Sequence, residues 1–182
     1  MLASGVALAI MTKHCVEGSP CHGTAGKDDI YDSKGSDEIH GHGGYDLLMS
    51  GTQIKDDPNA GSGDDVIYGE GGPDDVWIWD GVSRGRPVGP DEFYGGPGED
   101  WVISYAGENT ISGGPGNDRI WAANGARDVI DCGGGNDTVE YNQGVDKIGG
   151  CERKTSFCAD CKSDEFVKPD GSPKDPGFHR LR

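Results

Sequence analysis

The sequence predicts an all-β repeat protein of short strands and tight glycine turns, and three observations predict it. A nine-residue frame recurs along the chain, nearly every copy places an acid two residues before an apolar residue, and glycine supplies 33 of the 182 residues. Only 33% of the residues are hydrophobic. So thin an apolar complement barely offsets the backbone entropy of the glycines, each about 0.5–1 kcal/mol less favourable than alanine in regular structure. Something besides apolar burial must hold the chain together.

Aligned on the acid and the apolar residue, twelve nonapeptides begin at Gly23, Asp32, Gly41, Ala60, Gly69, Arg86, Gly95, Ser104, Gly113, Ala123, Cys132 and Tyr141. Their sixth positions are Asp28, Asp37, Asp46, Asp65, Asp74, Asp91, Asp100, Asn109, Asp118, Asp128, Asp137 and Asp146. Their eighth positions are Ile30, Ile39, Leu48, Ile67, Val76, Phe93, Val102, Ile111, Ile120, Ile130, Val139 and Ile148. Self-similarity at a fixed period is the mark of a solenoid. The seventh to ninth residues make a strand in which only the eighth points inward, so those side chains stack into a thin core. Glycines adopt conformations closed to other residues and bring carbonyl oxygens forward, and the acid adds a carboxylate. Calcium takes six to eight oxygens in irregular geometry, which such a turn can supply.

GGPGEDWVI at 95–103 and GGPGNDRIW at 113–121 carry a family resemblance. They resemble the haemolysin-type (RTX) calcium-binding nonapeptide G-G-x-G-x-D-x-U-x, and the resemblance covers about two-thirds of the chain. It implies a parallel β-roll, a two-sheet right-handed solenoid of about twelve repeats here. Two units would make one coil, with several calcium ions between the turns of successive coils. Odd units then line one edge and begin with glycine, or with Cys132 followed by Gly133; even units line the other and begin with other residues. All three interruptions, 50–59, 78–85 and Ala122, enter even turns. The expectation is an asymmetric roll. The stronger calcium edge carries Asp28, Asp46, Asp74, Asp100, Asp118 and Asp137, with Gly96, Gly98, Gly114, Gly116, Gly133 and Gly135 in its turns. The weaker edge carries Asp37, Asp65, Asp91, Asn109, Asp128 and Asp146, and Ala126 occupies a fourth-position glycine slot there.

The formal net charge of −16 falls almost wholly between Gly23 and Gly149. Nucleic acid and anionic membranes are poor partners for that surface, and cations are natural ones. A disordered acidic chain is the bland alternative, which the spacing argues against. The run MLASGVALAI resembles the end of a secretory signal peptide without its basic part. It is too short for a membrane span. Cys15, Cys21, Cys132, Cys151, Cys158 and Cys161 are an even set that suits export. Cys15 with Cys21 would clamp the start of the acidic body, and Cys132 with Cys151 its end. The organisation expected is a signal-like segment over 1–22, the calcium-binding roll over 23–149, and a cysteine-containing cap with a flexible tail over 150–182.

Other motifs carry less. Cys158-Ala-Asp-Cys161 has no second CxxC or paired histidines to complete a zinc site. Gly81-Val-Ser83-Arg-Gly85 fits the serine-hydrolase elbow, but Arg86-Pro87-Val88-Gly89-Pro90 cannot start the helix that the elbow needs. The sequon Asn136-Asp137-Thr138 overlaps a candidate ligand. His14, His22, His40 and His42 cluster early, and a transition-metal role for His40 and His42 is weighed against solvent-facing imidazoles, which are favoured. Outward ninth positions Met49, Trp77, Ile103 and Trp121 on one face, and Tyr68 and Tyr94 on the other, offer a carbohydrate or protein partner a surface, or simply cover the core. The function expected is a secreted calcium-binding roll that folds on binding Ca2+, with a structural, adhesive or docking role and no catalysis of its own. The alternative is an accessory region of a secreted protease or lipase or, less favoured, a cryptic serine hydrolase using Ser83.

Overall fold

A computed structural model describes residues 11–16, 18–32, 35–50, 63–79 and 89–157. The signal-like run, Ser83, most of the two long interruptions, Cys158, Cys161 and the tail lie outside the described residues. The described residues form strands and turns without a helix. Strands β1 (Met11–His14), β3 (Asp28–Tyr31), β5 (Leu47–Ser50), β7 (Asp75–Ile78), β9 (Trp101–Ser104), β11 (Arg119–Trp121), β13 (Thr138–Asn142) and β15 (Arg153–Phe157) lie side by side in that order. Strands β2 (Cys21–His22), β4 (Glu38–His40), β6 (Val66–Tyr68), β8 (Glu92–Tyr94), β10 (Thr110–Pro115), β12 (Val129–Gly134) and β14 (Lys147–Gly149) form the second sheet. Consecutive strands alternate between the sheets, and neighbours within each sheet are parallel. This is a parallel β-roll.

The register explains the core. Ile30, Leu48, Val76, Val102, Ile120 and Val139 stand opposite one another down one sheet. Cys21, Ile39, Ile67, Phe93, Ile111, Ile130 and Ile148 do so down the other. With Ile148 the exception, these eighth-position residues and Cys21 are buried. Side chains alternate along a strand, so the residue two further on also points inward. That row is Asp32, Ser50, Ile78, Ser104 and Ala122, all buried, and Tyr141, which packs against the core. Phe93 is the largest side chain in either column, between Ile67 and Ile111. Phe93→Ala should cost about 3–5 kcal/mol through lost burial and a cavity the stacked backbone cannot close. Denaturant unfolding at saturating calcium measures it.

The sheets run past Gly23 and Gly149, since β1 and β2 pair with β3 and β4, and β15 pairs with β13. Disulfides join Cys15 to Cys21 and Cys132 to Cys151, so each end of the roll is stapled as the spacing suggests. One expectation needs correcting. The left-handed turn slot of the Ala122 coil is filled by Gly125 at φ 89°, matching Gly107 at φ 89° and Gly144 at φ 82°. The extra residue therefore follows Gly125, and Ala126 does not displace the turn glycine, because an alanine there would be strained. Of the outward residues of the first sheet, Met49, Ile103 and Trp121 are buried and Trp77 is half-buried, in keeping with the reading that they cover the core. Ile103, Trp121 and Ala123 form a second apolar cluster with Trp101 and Tyr105 packed on it. Trp121 covers the sheet rather than offering itself to a partner.

Candidate metal centre

Each acid of the repeat sits at the end of a turn, where its strand begins. On the edge leading into the eight-stranded sheet, its Oδ1 accepts the backbone N–H of the corresponding acid one coil earlier. Asp28 N–H donates to Asp46, Asp46 to Asp74, Asp74 to Asp100, Asp100 to Asp118 and Asp118 to Asp137, at 2.8–3.0 Å. The last rung is Asp137 N–H to Glu152 Oε2 at 2.8 Å. Glu152 takes the place of a further aspartate, and the nonapeptide frame, which breaks before it, gave no signal of this.

The ladder uses one oxygen of each carboxylate. The other, Oδ2 of Asp46, Asp74, Asp100, Asp118 and Asp137, is buried without a hydrogen-bond partner. An unpaired buried carboxylate oxygen is costly unless a cation meets it. These oxygens face the gaps left by the first-position glycines. A Cβ on Gly41 would lie 2.8 Å from Asp46 Oδ2 and 2.9 Å from Gly69 O; on Gly69, 2.6 Å from Asp74 Oδ2 and 2.7 Å from Gly95 O. Gly95 meets Asp100 Oδ2 and Gly113 O in the same way, and Gly113 meets Asp118 Oδ2 and Cys132 O. Each gap thus gathers a carboxylate oxygen from its own coil and a carbonyl oxygen from the next. Such all-oxygen, irregular cradles fit calcium.

The ends of this edge differ from its middle. Thr24 donates its N–H and its hydroxyl to Asp28 Oδ2, so the first acid is capped by its own turn. In the last unit Cys132 replaces the first-position glycine and is bonded to Cys151. Asp46, Asp74, Asp100 and Asp118 are therefore the four acids whose unpartnered Oδ2 faces a first-position glycine gap, whereas Asp28 leaves its Oδ1 unpartnered instead.

Burial raises their carboxyls, Asp46 and Asp118 to about 6, Asp100 to about 7 and Asp74 to about 8. The backbone N–H on Oδ1 acts in the opposite sense, and neighbouring carboxylates add to the rise.

The opposite edge has the same ladder, from Asp37 N–H to Asp65, then Asp91, Asn109, Asp128 and Asp146. Asp65 Oδ2 and Asp128 Oδ2 are likewise buried without a hydrogen-bond partner, but side chains and backbone occupy the turns at Asp91, Asn109 and Asp146. Ser50 Oγ lies 3.4 Å from Asp91 Oδ2. Asn109 Nδ2 donates to Ser104 Oγ and Ala106 O, and Asn124 Nδ2 also reaches Ser104 Oγ. Asp146 Oδ2 accepts the Asn142 N–H. Burial raises Asp128 to about 7, and raises Asp65 and Asp91 as well, so acidity does not separate the edges; the first-position glycine gaps at Gly41, Gly69, Gly95 and Gly113 do. At the start of this edge Asp32, Asp37 and Asp65 are all buried and bring one carboxylate oxygen each within 4.8 Å of the others. The sequence frame passed over Asp32, which it treated only as the first residue of a unit.

Ladders of acids on both edges of a parallel roll, one with oxygen-lined gaps, define a cation-binding repeat protein. The RTX calcium-binding nonapeptide repeat family model matches in four copies, over residues 22–53, 59–81, 94–127 and 122–148, and the chain belongs to that family. Searches of curated proteins and of solved structures each found no match.

Proposed function

We propose that this chain is a secreted calcium-dependent β-roll whose ions are held on one edge, and that it serves as a structural or docking module without catalytic residues of its own. The observation that carries the reading is the row of buried, unpartnered Oδ2 atoms facing glycine gaps. Asp46, Asp74, Asp100 and Asp118 would hold calcium there, with first-position carbonyls such as Gly69 O and Gly95 O from the neighbouring coil. Bound calcium supplies the positive charge that the packed carboxylates need. The glycines at positions two and four, Gly96, Gly98, Gly114, Gly116, Gly133 and Gly135, let adjacent turns stack closely. Gly114, for example, would place a Cβ against the backbone of Gly96. Disulfides at both ends agree with an oxidising, extracellular setting. Folding would then wait for export, since extracellular calcium modules bind with Kd of about 10⁻⁴–10⁻³ M.

The test compares edges. Asp118→Ala and Asp128→Ala each remove one rung, the acceptor for Asp100 N–H or for Asn109 N–H. Both should destabilise the roll by about 1–3 kcal/mol through the orphaned N–H. Only Asp118→Ala is expected to lower the number of calcium ions bound, measured by equilibrium dialysis at saturation. Equal losses of calcium in the two variants would remove the asymmetry from the proposal.

A further inference from the structure

The outer face of the seven-stranded sheet and the turn residues beside it carry a cluster outside both acid ladders. His22 and His40 stand opposite one another in parallel register, with ring centroids 4.6 Å apart. The His42 ring lies 5.3 Å from that of His22 and 6.0 Å from that of His40. His14, which the sequence grouped with them, is on the other sheet, stacked on Tyr31. Three imidazoles from two successive coils thus share one patch.

Two carboxylates set their chemistry. Glu70 places Oε1 at 2.9 Å from His40 Nδ1 and Oε2 at 2.9 Å from His42 Nδ1. On the far side of His40, Glu38 Oε1 lies 2.9 Å from Nε2. A neutral imidazole has one N–H. If Nδ1–H is given to Glu70, the Nε2 lone pair of His40 faces another acceptor, and a cation is required between them. A proton would serve, and so would a divalent metal.

Backbone strain singles out the same residues. His42 at φ 75° and Glu70 at φ 69° are the two non-glycine residues with positive φ among those described. In later coils the same turn position is Gly96, Gly114 and Gly133, at φ 87°, 106° and 96°. Side chains kept in a conformation that glycine takes freely point to a role for those side chains. A left-handed conformation at both positions accompanies the pairing of His42 with Glu70.

We propose that His22, His40 and His42, with Glu38, bind a transition-metal cation of the Zn2+ class, and that Glu70 orients His40 and His42 through their Nδ1 atoms. Imidazole and carboxylate together suit zinc, copper or nickel, whereas calcium prefers oxygen alone. A carboxylate on the ring nitrogen opposite the metal is the usual support for a ligating histidine. The rings lie stacked, and all three residues are exposed or half-buried, so binding one ion would rotate them to bring their Nε2 atoms together. The proposal does not rest on calcium filling the turns.

The test uses the full chain in 10 mM calcium, titrated with Zn2+ by calorimetry and with Co2+ by visible absorption. The expected result is one tight Zn2+ and a cobalt spectrum of nitrogen coordination. His40→Ala and His22→Ala should each weaken Zn2+ binding by at least about tenfold, and Glu70→Gln by about tenfold as a supporting group. His42→Gly is the control for strain. It should lose metal affinity while its Tm without Zn2+ stays level or rises. A silent Zn2+ titration, or equal affinity in the wild type and His40→Ala, overturns the proposal. Calcium stoichiometry, measured on the same samples, reports separately on the turns.

Discussion

Chelating calcium at pH 7.5 is expected to unfold the roll, with loss of its β-sheet circular dichroism and recovery on adding millimolar calcium. The core is two thin columns, from Ile30 to Val139 and from Cys21 to Ile148, with Ile78, Ala122 and Tyr141 beside the first. Against it stand the buried carboxylates of Asp46, Asp74, Asp100 and Asp118, each with an unpartnered Oδ2. If Kd is about 0.1–1 mM, 10 mM calcium stabilises the fold by about 1.4–2.7 kcal/mol per site. Four such sites contribute roughly 6–11 kcal/mol, comparable to the whole stability of an ordinary domain. Gly69→Ala gives a local version. Its Cβ would lie 2.6 Å from Asp74 Oδ2 and 2.7 Å from Gly95 O, in the space proposed for the ion. The variant should bind one calcium fewer and need more calcium to fold. An unchanged β signal in excess chelator would refute calcium-dependent folding.

Acid should replace calcium. Burial raises the carboxyls of Asp46 and Asp118 to about 6, Asp100 to about 7 and Asp74 to about 8, from an unfolded value of 3.8. A folded state that holds protons more tightly is favoured where those protons are bound. The stabilisation is complete below the unfolded value and is lost as pH rises through the folded values. In chelator, the chain is therefore expected to keep β structure near pH 4.5 and to lose it between about pH 6 and 8. Calcium must displace the same protons, so the calcium needed to fill the sites should rise as pH falls through that range. Asp74→Asn separates this local effect from the general relief of negative charge. The amide retains an Oδ1 to accept Asp46 N–H, as Asn109 Oδ1 already does for Asp91 N–H. It should stabilise the calcium-free fold at pH 7.5, while Glu92→Gln, at an exposed acid, should not. Stability that rises from pH 5 to 8 in chelator would contradict the assignment.

Much of this could be read from the chain alone. A sixth-position acid and an eighth-position apolar residue in the same frame led to a solenoid with a stacked core, and the resemblance to the RTX nonapeptide implied the parallel roll with a row of acids along each edge. The pairing of Cys15 with Cys21 and of Cys132 with Cys151 was legible too, because each pair flanks an end of the repeat. These features are local: each follows from residues within one or two units, and the period carries them along the chain.

What the tertiary structure decided depends on stacking across coils, where insertions change which residues meet. The ladder joins Asp46 to Asp74 over 28 residues and Asp100 to Asp118 over 18. Only that register shows that Ser50 and Ser104 reach Asp91 and Asn109 on the second edge while Gly41, Gly69, Gly95 and Gly113 leave the first edge open. It moves the extra residue past Gly125, buries Trp121, closes the ladder with Glu152, and draws His22, His40, His42 and Glu70 into one patch. The sequence determined a roll that asks for cations; packing of one coil on the next decided where room was left for them.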